Sequence, residues 1–239
     1  MRSIIQGVRR FRADVVEKQR ELFTQLARGQ HPEALFITCA DSRLVPNIIT
    51  QTDAGDLFVL RNAGNIVPPY SAAGGGEAAT IEFALEALDV KHIIVCGHTK
   101  CGAMKALVDN GDMSSMPLVK NWLGHAEATR RIVRENYADY QGDALYNIAT
   151  QEHVLVQIDN LQTHPCVASR LVKGELSLHA WVFKLETGDV FAFSDEGGRF
   201  VPLVDSEPDE TGTVVFSVGA NGREGRRADP TLGTDGAAR

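Results

Sequence analysis

Cysteine is scarce in this chain: four residues in 239, at Cys39, Cys96, Cys101 and Cys166. That is too few to staple a protein of this length with disulfides. A reducing interior is the expected compartment, and cysteines that cluster there signal metal binding or catalysis. Long apolar runs are missing too. No segment reaches the roughly 18 uninterrupted apolar residues of a spanning helix. The opening stretch MRSIIQGVRRFRADVVEKQ is basic but lacks the apolar centre of an export signal. Positive charge is in deficit, 24 Lys and Arg against 31 Asp and Glu, for a net charge of −7. With no concentrated basic stripe, the chain is expected to bind neither nucleic acid nor an anionic membrane. Phosphate-cradle signatures are absent as well: Gly74-Gly75-Gly76-Glu77 precedes a helical segment but matches neither G-x-x-x-x-G-K-[ST] nor G-x-G-x-x-G. No internal repeat is visible. What remains is an ordinary globular composition, 44% hydrophobic and 23% charged, with length for one large domain or two small ones.

The hydrophobic pattern divides the chain into three parts. Residues 1–30 read as a helical arm, with Ile4, Val8, Phe11, Val15, Leu22 and Leu26 forming one stripe at helical spacing. Residues 31–205 read as an α/β domain. Leu35-Phe36-Ile37-Thr38-Cys39, Leu57-Phe58-Val59-Leu60 and His92-Ile93-Ile94-Val95-Cys96 are short apolar runs without alternation, as parallel strands covered on both faces require. Helical stripes lie between them, and Pro165 and Gly174 bracket a short helix. Residues 176–194 predict two strands joined at Thr187-Gly188-Asp189, a hairpin at the sheet edge. Residues 206–239 are polar and partly without order; Val214–Val218 predicts one more strand, and a loose tail follows from Gly219. The expected architecture is a central, mostly parallel sheet flanked by helices, with a long N-terminal helix and a C-terminal hairpin at the edge.

Two motifs carry chemistry, and each ends a predicted strand. Cys39-Ala40-Asp41-Ser42-Arg43 closes the first, and His98-Thr99-Lys100-Cys101 closes the third. Ligands of open parallel sheets bind beyond the carboxyl ends of the strands. If these strands are neighbours, Cys39, Asp41, His98 and Cys101 converge. Two thiolates and an imidazole suit zinc. Three protein ligands make a catalytic site with an open position and four make a structural one, and Asp41 can reach either the metal or Arg43. Cys96 reads as core, Cys166 has no partner at metal spacing, and the other histidines, His153 among them, read as surface or satisfied core residues.

The paired motifs C-x-D-x-R and H-x-x-C, about sixty residues apart, resemble the β-class carbonic anhydrases. Arg61-Asn62-Ala63-Gly64-Asn65 and the segment from Gly76 to Phe83 lie in register with them. The wording is most similar to the cyanobacterial carboxysomal branch. The resemblance implies reversible hydration of carbon dioxide to bicarbonate and a proton, by attack of zinc-bound hydroxide. It assigns one Zn2+ per chain to Cys39, His98 and Cys101, with Asp41 as a fourth ligand in a closed state. It makes Asp41 and Arg43 the catalytic dyad, and Gln30, Phe58, Ala63, Phe83 and Gly102 the lining of the substrate cleft. It also implies a homodimer or larger homo-oligomer, in the cytoplasm or, alternatively, in a carboxysome with a scaffold partner. Phe36 stands where closing members of the family carry Trp, so an open metal position is expected, with Asp41 held by Arg43. Two other readings use the same ligand set: a carbon disulfide or carbonyl sulfide hydrolase, and a non-catalytic, zinc-stabilised scaffold or shell adaptor.

Overall fold

In the computed structural model, residues 1–72, 74–109, 111–203 and 228–232 are described. They form one six-stranded sheet in the order β2-β1-β3-β4-β5-β6. Its strands are β1 (Ala34–Cys39), β2 (Leu57–Asn62), β3 (His92–His98), β4 (Ser177–Phe183), β5 (Val190–Ser194) and β6 (Arg199–Pro202). The first four pair in parallel. The β4–β5 hairpin and then β6 add antiparallel strands at one edge. The hairpin turns near Gly188, where φ is +83°, a value that suits glycine. β6 has no counterpart in the sequence reading; Arg199-Phe200-Val201-Pro202 is too short for alternation to show, and its pairing comes from β5.

The helices are α1 (Arg2–Arg10), α2 (Arg20–Leu26), α3 (Pro46–Thr50), α4 (Gly76–Glu86), α5 (Gly102–Asp109), α6 (Pro117–Leu123), α7 (Glu127–Asn136), α8 (Gly142–Gln162) and α9 (Pro165–Val172). Proline starts α3, α6 and α9, where its missing N–H costs nothing. Gly174 follows α9 at φ +69° and donates its N–H to the Leu171 carbonyl, closing that helix. Among the described residues no helix is long and apolar enough to cross a membrane.

The core lies mainly between one face of the sheet and helices α4, α8 and α9. Leu35, Ile37, Ile93, Val95, Leu178, Ala180 and Val182 point into it, with Ile81, Leu85, Val154 and Ile158 opposite. On the other face Phe36, Ile94 and Cys96 form a smaller cluster, with Trp181 packed edge-on against Phe36 at 6.1 Å. β1 is therefore buried along its whole length, which is why its sequence does not alternate.

Two expectations about the ends need correction. The N-terminal arm is helical but not one helix. α1 passes into a π-turn at Phe11–Val16, Gln19 leaves helical φ/ψ, and α2 resumes. The break lets the chain fold back so that Phe11 and Phe23 meet edge-to-face at 5.7 Å. Past Gly219, the segment 228–232 is not loose. Leu232 is only 4% exposed and joins the main core, Asp229 exchanges hydrogen bonds with the side chain of Gln151, and the Ala228 N–H donates to Tyr137 Oη. One leucine among Gly, Asp and Arg gives no periodicity, so the sequence hides this anchor. The strand expected at Val214–Val218 lies outside the described residues.

Leu232→Ala should lower unfolding free energy by about 2–5 kcal/mol, the range for a buried leucine; urea denaturation checks it, and a loss below about 0.5 kcal/mol would contradict the anchor. A second prediction concerns His179, buried with its Nε2 3.2 Å from Nδ1 of His92. Burial pushes its pKa down to about 4 from 6.5. The unfolded chain then binds a proton that the folded chain refuses, so the stability contribution is full above about pH 6.5 and is lost as pH falls toward about 4. Between pH 7 and pH 5 the loss should be about 2 kcal/mol larger in the wild type than in His179→Gln, on the scale of about 1.4 kcal/mol per pKa unit.

Candidate metal centre

β1 and β3 are neighbours, in register from Ala34↔His92 to Thr38↔Cys96. Their carboxyl ends deliver Cys39 and His98 side by side, and Cys101 follows where the chain turns into α5. The ligand atoms of Cys39, His98 and Cys101 lie within 4.8 Å of one another, and all three residues are buried. His98 Nδ1 donates to the Thr99 carbonyl at 2.8 Å, which leaves Nε2 with its lone pair. That Nε2 is buried and has no hydrogen-bond partner. A buried, unpartnered ring nitrogen beside two sulfurs fits the place of a metal ligand, because nothing else there compensates its lost hydration. The sulfurs share a proton. Cys39 is pulled down chiefly by the hydrogen bond from Cys101, aided by the N–H groups of Gly64 and Asp41. Cys101, holding that proton, is pushed up. A bound cation would displace it, since thiolates are the ligands. Soft donors at this spacing suit zinc.

Asp41 stands next to the cluster, its Oδ2 3.9 Å from His98 Nε2. Arg43 grips it in a fork: Nε to Oδ1 at 2.9 Å and NH2 to Oδ2 at 2.7 Å, while the Arg43 backbone N–H adds a bond to Oδ1 at 3.0 Å. The hydrogen bond from Arg43 holds the Asp41 carboxyl well below the usual carboxylate range. Arg43 is itself steered by the Lys100 carbonyl at 3.1 Å. Lys100 adopts φ +56°, unusual for a side chain of its size. It is held there by Thr99, whose N–H bonds the Phe183 carbonyl and whose hydroxyl donates to Glu186 at 2.6 Å, and by the Lys100–Asp143 ion pair. Arg61 braces the other motif, donating to the carbonyls of Cys39 and Asp41. Gly97 lets α8 approach β3: a Cβ there would meet Val154 Cγ2 at 2.7 Å and Thr150 Cγ2 at 2.9 Å.

A third layer was not legible in the sequence. The N–H of Gly64 points at Cys39 Sγ, 3.4 Å away. The Trp122 indole donates to the Ala63 carbonyl at 2.8 Å, and His153 Nε2 donates to the Gly64 carbonyl at 2.8 Å. Farther along, α8 and the start of α9 grip the next residues. Gln157 Oε1 accepts from the Val67 N–H, Asn160 donates to the Val67 carbonyl, and His164 donates to the Pro68 carbonyl. One signal was available: His153, Gln157, Asn160 and His164 recur at helical spacing through an apolar helix, a buried polar stripe rather than scattered core residues.

The expected cleft residues separate. Ala63 and Gly102 flank the cluster. Phe58 pairs with Leu35, four residues before Cys39, or about 13 Å along the strand. Phe83 lies against Phe58, ring centroids 5.9 Å apart. Gln30 precedes β1, beside Leu26 and Gly55. Within one chain these three sit toward the amino ends of the strands and do not face the metal ligands.

A mostly parallel α/β sheet that gathers three soft ligands at its carboxyl end, beside an ionised Asp–Arg pair, defines a metal-binding α/β protein. The family profile described as carbonic anhydrase matches residues 34–190. The carbonic anhydrase of Synechocystis sp. is 53% identical over 194 residues, 81% of this chain and 71% of that protein. The solved structure of the β-carbonic anhydrase CcaA agrees with a TM-score of 0.83 at 51% identity, covering 84% of this chain and 98% of that one. A tetrameric β-carbonic anhydrase from Sordaria macrospora gives 0.74 at 27% identity, covering 80% and 95%. The chain belongs to the β-class carbonic anhydrase family.

Cys39→Ser, His98→Ala and Cys101→Ser should each reduce bound zinc far below one ion per chain, because three ligands leave no redundancy. Elemental analysis after gel filtration checks this, and a full complement of zinc in all three variants would dismiss the site.

Proposed function

We propose that this chain hydrates carbon dioxide reversibly to bicarbonate and a proton, with Asp41 and Arg43 as its catalytic dyad. The observation that carries the reading is the partnerless His98 Nε2 close to two buried thiols, beside a carboxylate whose two oxygens are both held by Arg43. Bound zinc supplies a Lewis acid that lowers the pKa of water; with neutral ligands, as in carbonic anhydrases that use three histidines, it falls to about 7, and two thiolates weaken the effect.

The protein's own groups do the rest. Oδ1 of Asp41 takes two hydrogen bonds from Arg43 and Oδ2 takes one. Oδ2, the oxygen on the His98 side, therefore keeps acceptor capacity for the O–H of the attacking water and aims its lone pair at carbon. Because Arg43 holds the carboxyl ionised, it remains an acceptor across the working pH range. A scaffold with a closed structural site needs no such pair, and no feature of the site favours a sulfide substrate over carbon dioxide.

The rest of the substrate cleft comes from a second copy of the chain, through its Gln30, Phe58 and Phe83. Two features support this: those residues lie far from their own chain's ligands, and Ile4, Ile5, Val8 and Phe11 on the arm are about half exposed or more. Four unpaired cysteines suit the cytoplasm.

Stopped-flow hydration of carbon dioxide tests the function: activity should vanish with a zinc chelator and return with zinc. Asp41→Asn should lose roughly 100-fold or more in kcat with zinc retained, the scale of losing one aligned hydrogen-bonding group. A change below about 3-fold would remove Asp41 from the mechanism. Deleting residues 1–27 should break the oligomer and the activity together; sedimentation that shows an active monomer would overturn the shared cleft.

A further inference from the structure

We propose that the Ala63–Gly64 peptide is a fixed hydrogen-bond donor that tempers the Cys39 thiolate toward the metal, and that Trp122 and His153 are the positioning residues that hold it. The inference rests on the reading of Cys39, His98 and Cys101 as zinc ligands. Its starting point is the 3.4 Å approach of the Gly64 N–H to Cys39 Sγ. A thiolate that accepts such a bond donates less charge to its cation, which then polarises its remaining ligand more strongly.

The same peptide is held from its other end. Its carbonyl, that of Ala63, accepts the Trp122 indole N–H at 2.8 Å. A hydrogen bond to a peptide oxygen strengthens the donor on the peptide nitrogen, so Trp122 acts on Cys39 through one amide. The next carbonyl, that of Gly64, accepts from His153 Nε2 at 2.8 Å. His153 can donate there because Nδ1 is engaged as an acceptor, by Thr129 Oγ1 at 3.1 Å and Gln157 Nε2 at 3.3 Å. Burial pushes its pKa down to about 4, so this neutral tautomer persists at working pH. The turn has no slack toward α5: Gly64 sits at φ +84°, and a Cβ on it would meet Ala103 Cβ at 2.9 Å. Three anchors on one peptide pair, two of them side chains from different helices, are more than a surface turn requires.

The test uses the full-length protein with cobalt(II) in place of zinc, read by the sulfur-to-cobalt charge-transfer band, and zinc affinity by chelator competition. Trp122→Phe keeps an aromatic ring and removes the N–H; His153→Leu removes the second donor. In both, the band should shift to lower energy with cobalt still bound one per chain, while zinc stays bound in the chelator competition. His153→Gln, whose side-chain N–H can replace Nε2–H, should restore the wild-type band. An unmoved band in Trp122→Phe and His153→Leu at full cobalt occupancy would overturn the inference and leave the zinc site standing. If His153→Leu does not fold, Trp122→Phe decides alone. If the wild type gives no thiolate-to-cobalt band at all, the zinc reading fails and the inference with it.

Discussion

Parallel pairing of β1 with β3 is the constraint on which the site depends. Cys39 and His98 are 59 positions apart in the chain, and only this register brings them to the same end of the sheet. The Thr38 hydroxyl, buried, donates to the Cys96 carbonyl at 2.8 Å and ties the strands one step before the ligands. A slip of one residue would turn Cys39 to the other face and send its sulfur away from His98. The hydrophobic face of β1 opposes that slip, since Leu35 and Ile37 would then leave the core cluster they share with Ile93 and Val95. Core packing and metal geometry are thus set by one pairing.

From that pairing the site grows by short-range chemistry. Asp41 and Arg43 are two residues apart and need only a tight turn to meet. Cys101 is three residues from His98, and the strained backbone at Lys100 brings it round. Electrostatics then assigns roles: the carboxylate stays charged beside its guanidinium, while the thiols and the imidazole lie in an apolar shell where a cation gives them their missing partner.

What the sequence disclosed and what it hid follow the same division. Cys39, Asp41, Arg43, His98 and Cys101 were legible because rare residue types stood at fixed spacings beyond apolar runs. The strands were legible because burial on both faces leaves continuous hydrophobic stretches. Trp122, His153 and Leu232 were not, because each acts across a distance that sequence spacing does not encode. Trp122 reaches Ala63 and His153 reaches Gly64 only once α6 and α8 are in place. Leu232 joins a core whose other members lie far upstream. The π-turn at Phe11–Val16 keeps the same apolar spacing as an α-helix over so few residues that the stripe could not reveal it.

The polar stripe running from α8 into α9 ties the metal cradle to the core of the fold. His153, Gln157, Asn160 and His164 read the backbone of residues 64–68 group by group, as a template reads a strand. Loosening Gly64, and with it the cradle around Cys39, means breaking several buried hydrogen bonds at once along a helix that also forms the main core. The cradle around Cys39 is therefore tied to the same packing that stabilises the fold, and a change that loosens one loosens the other.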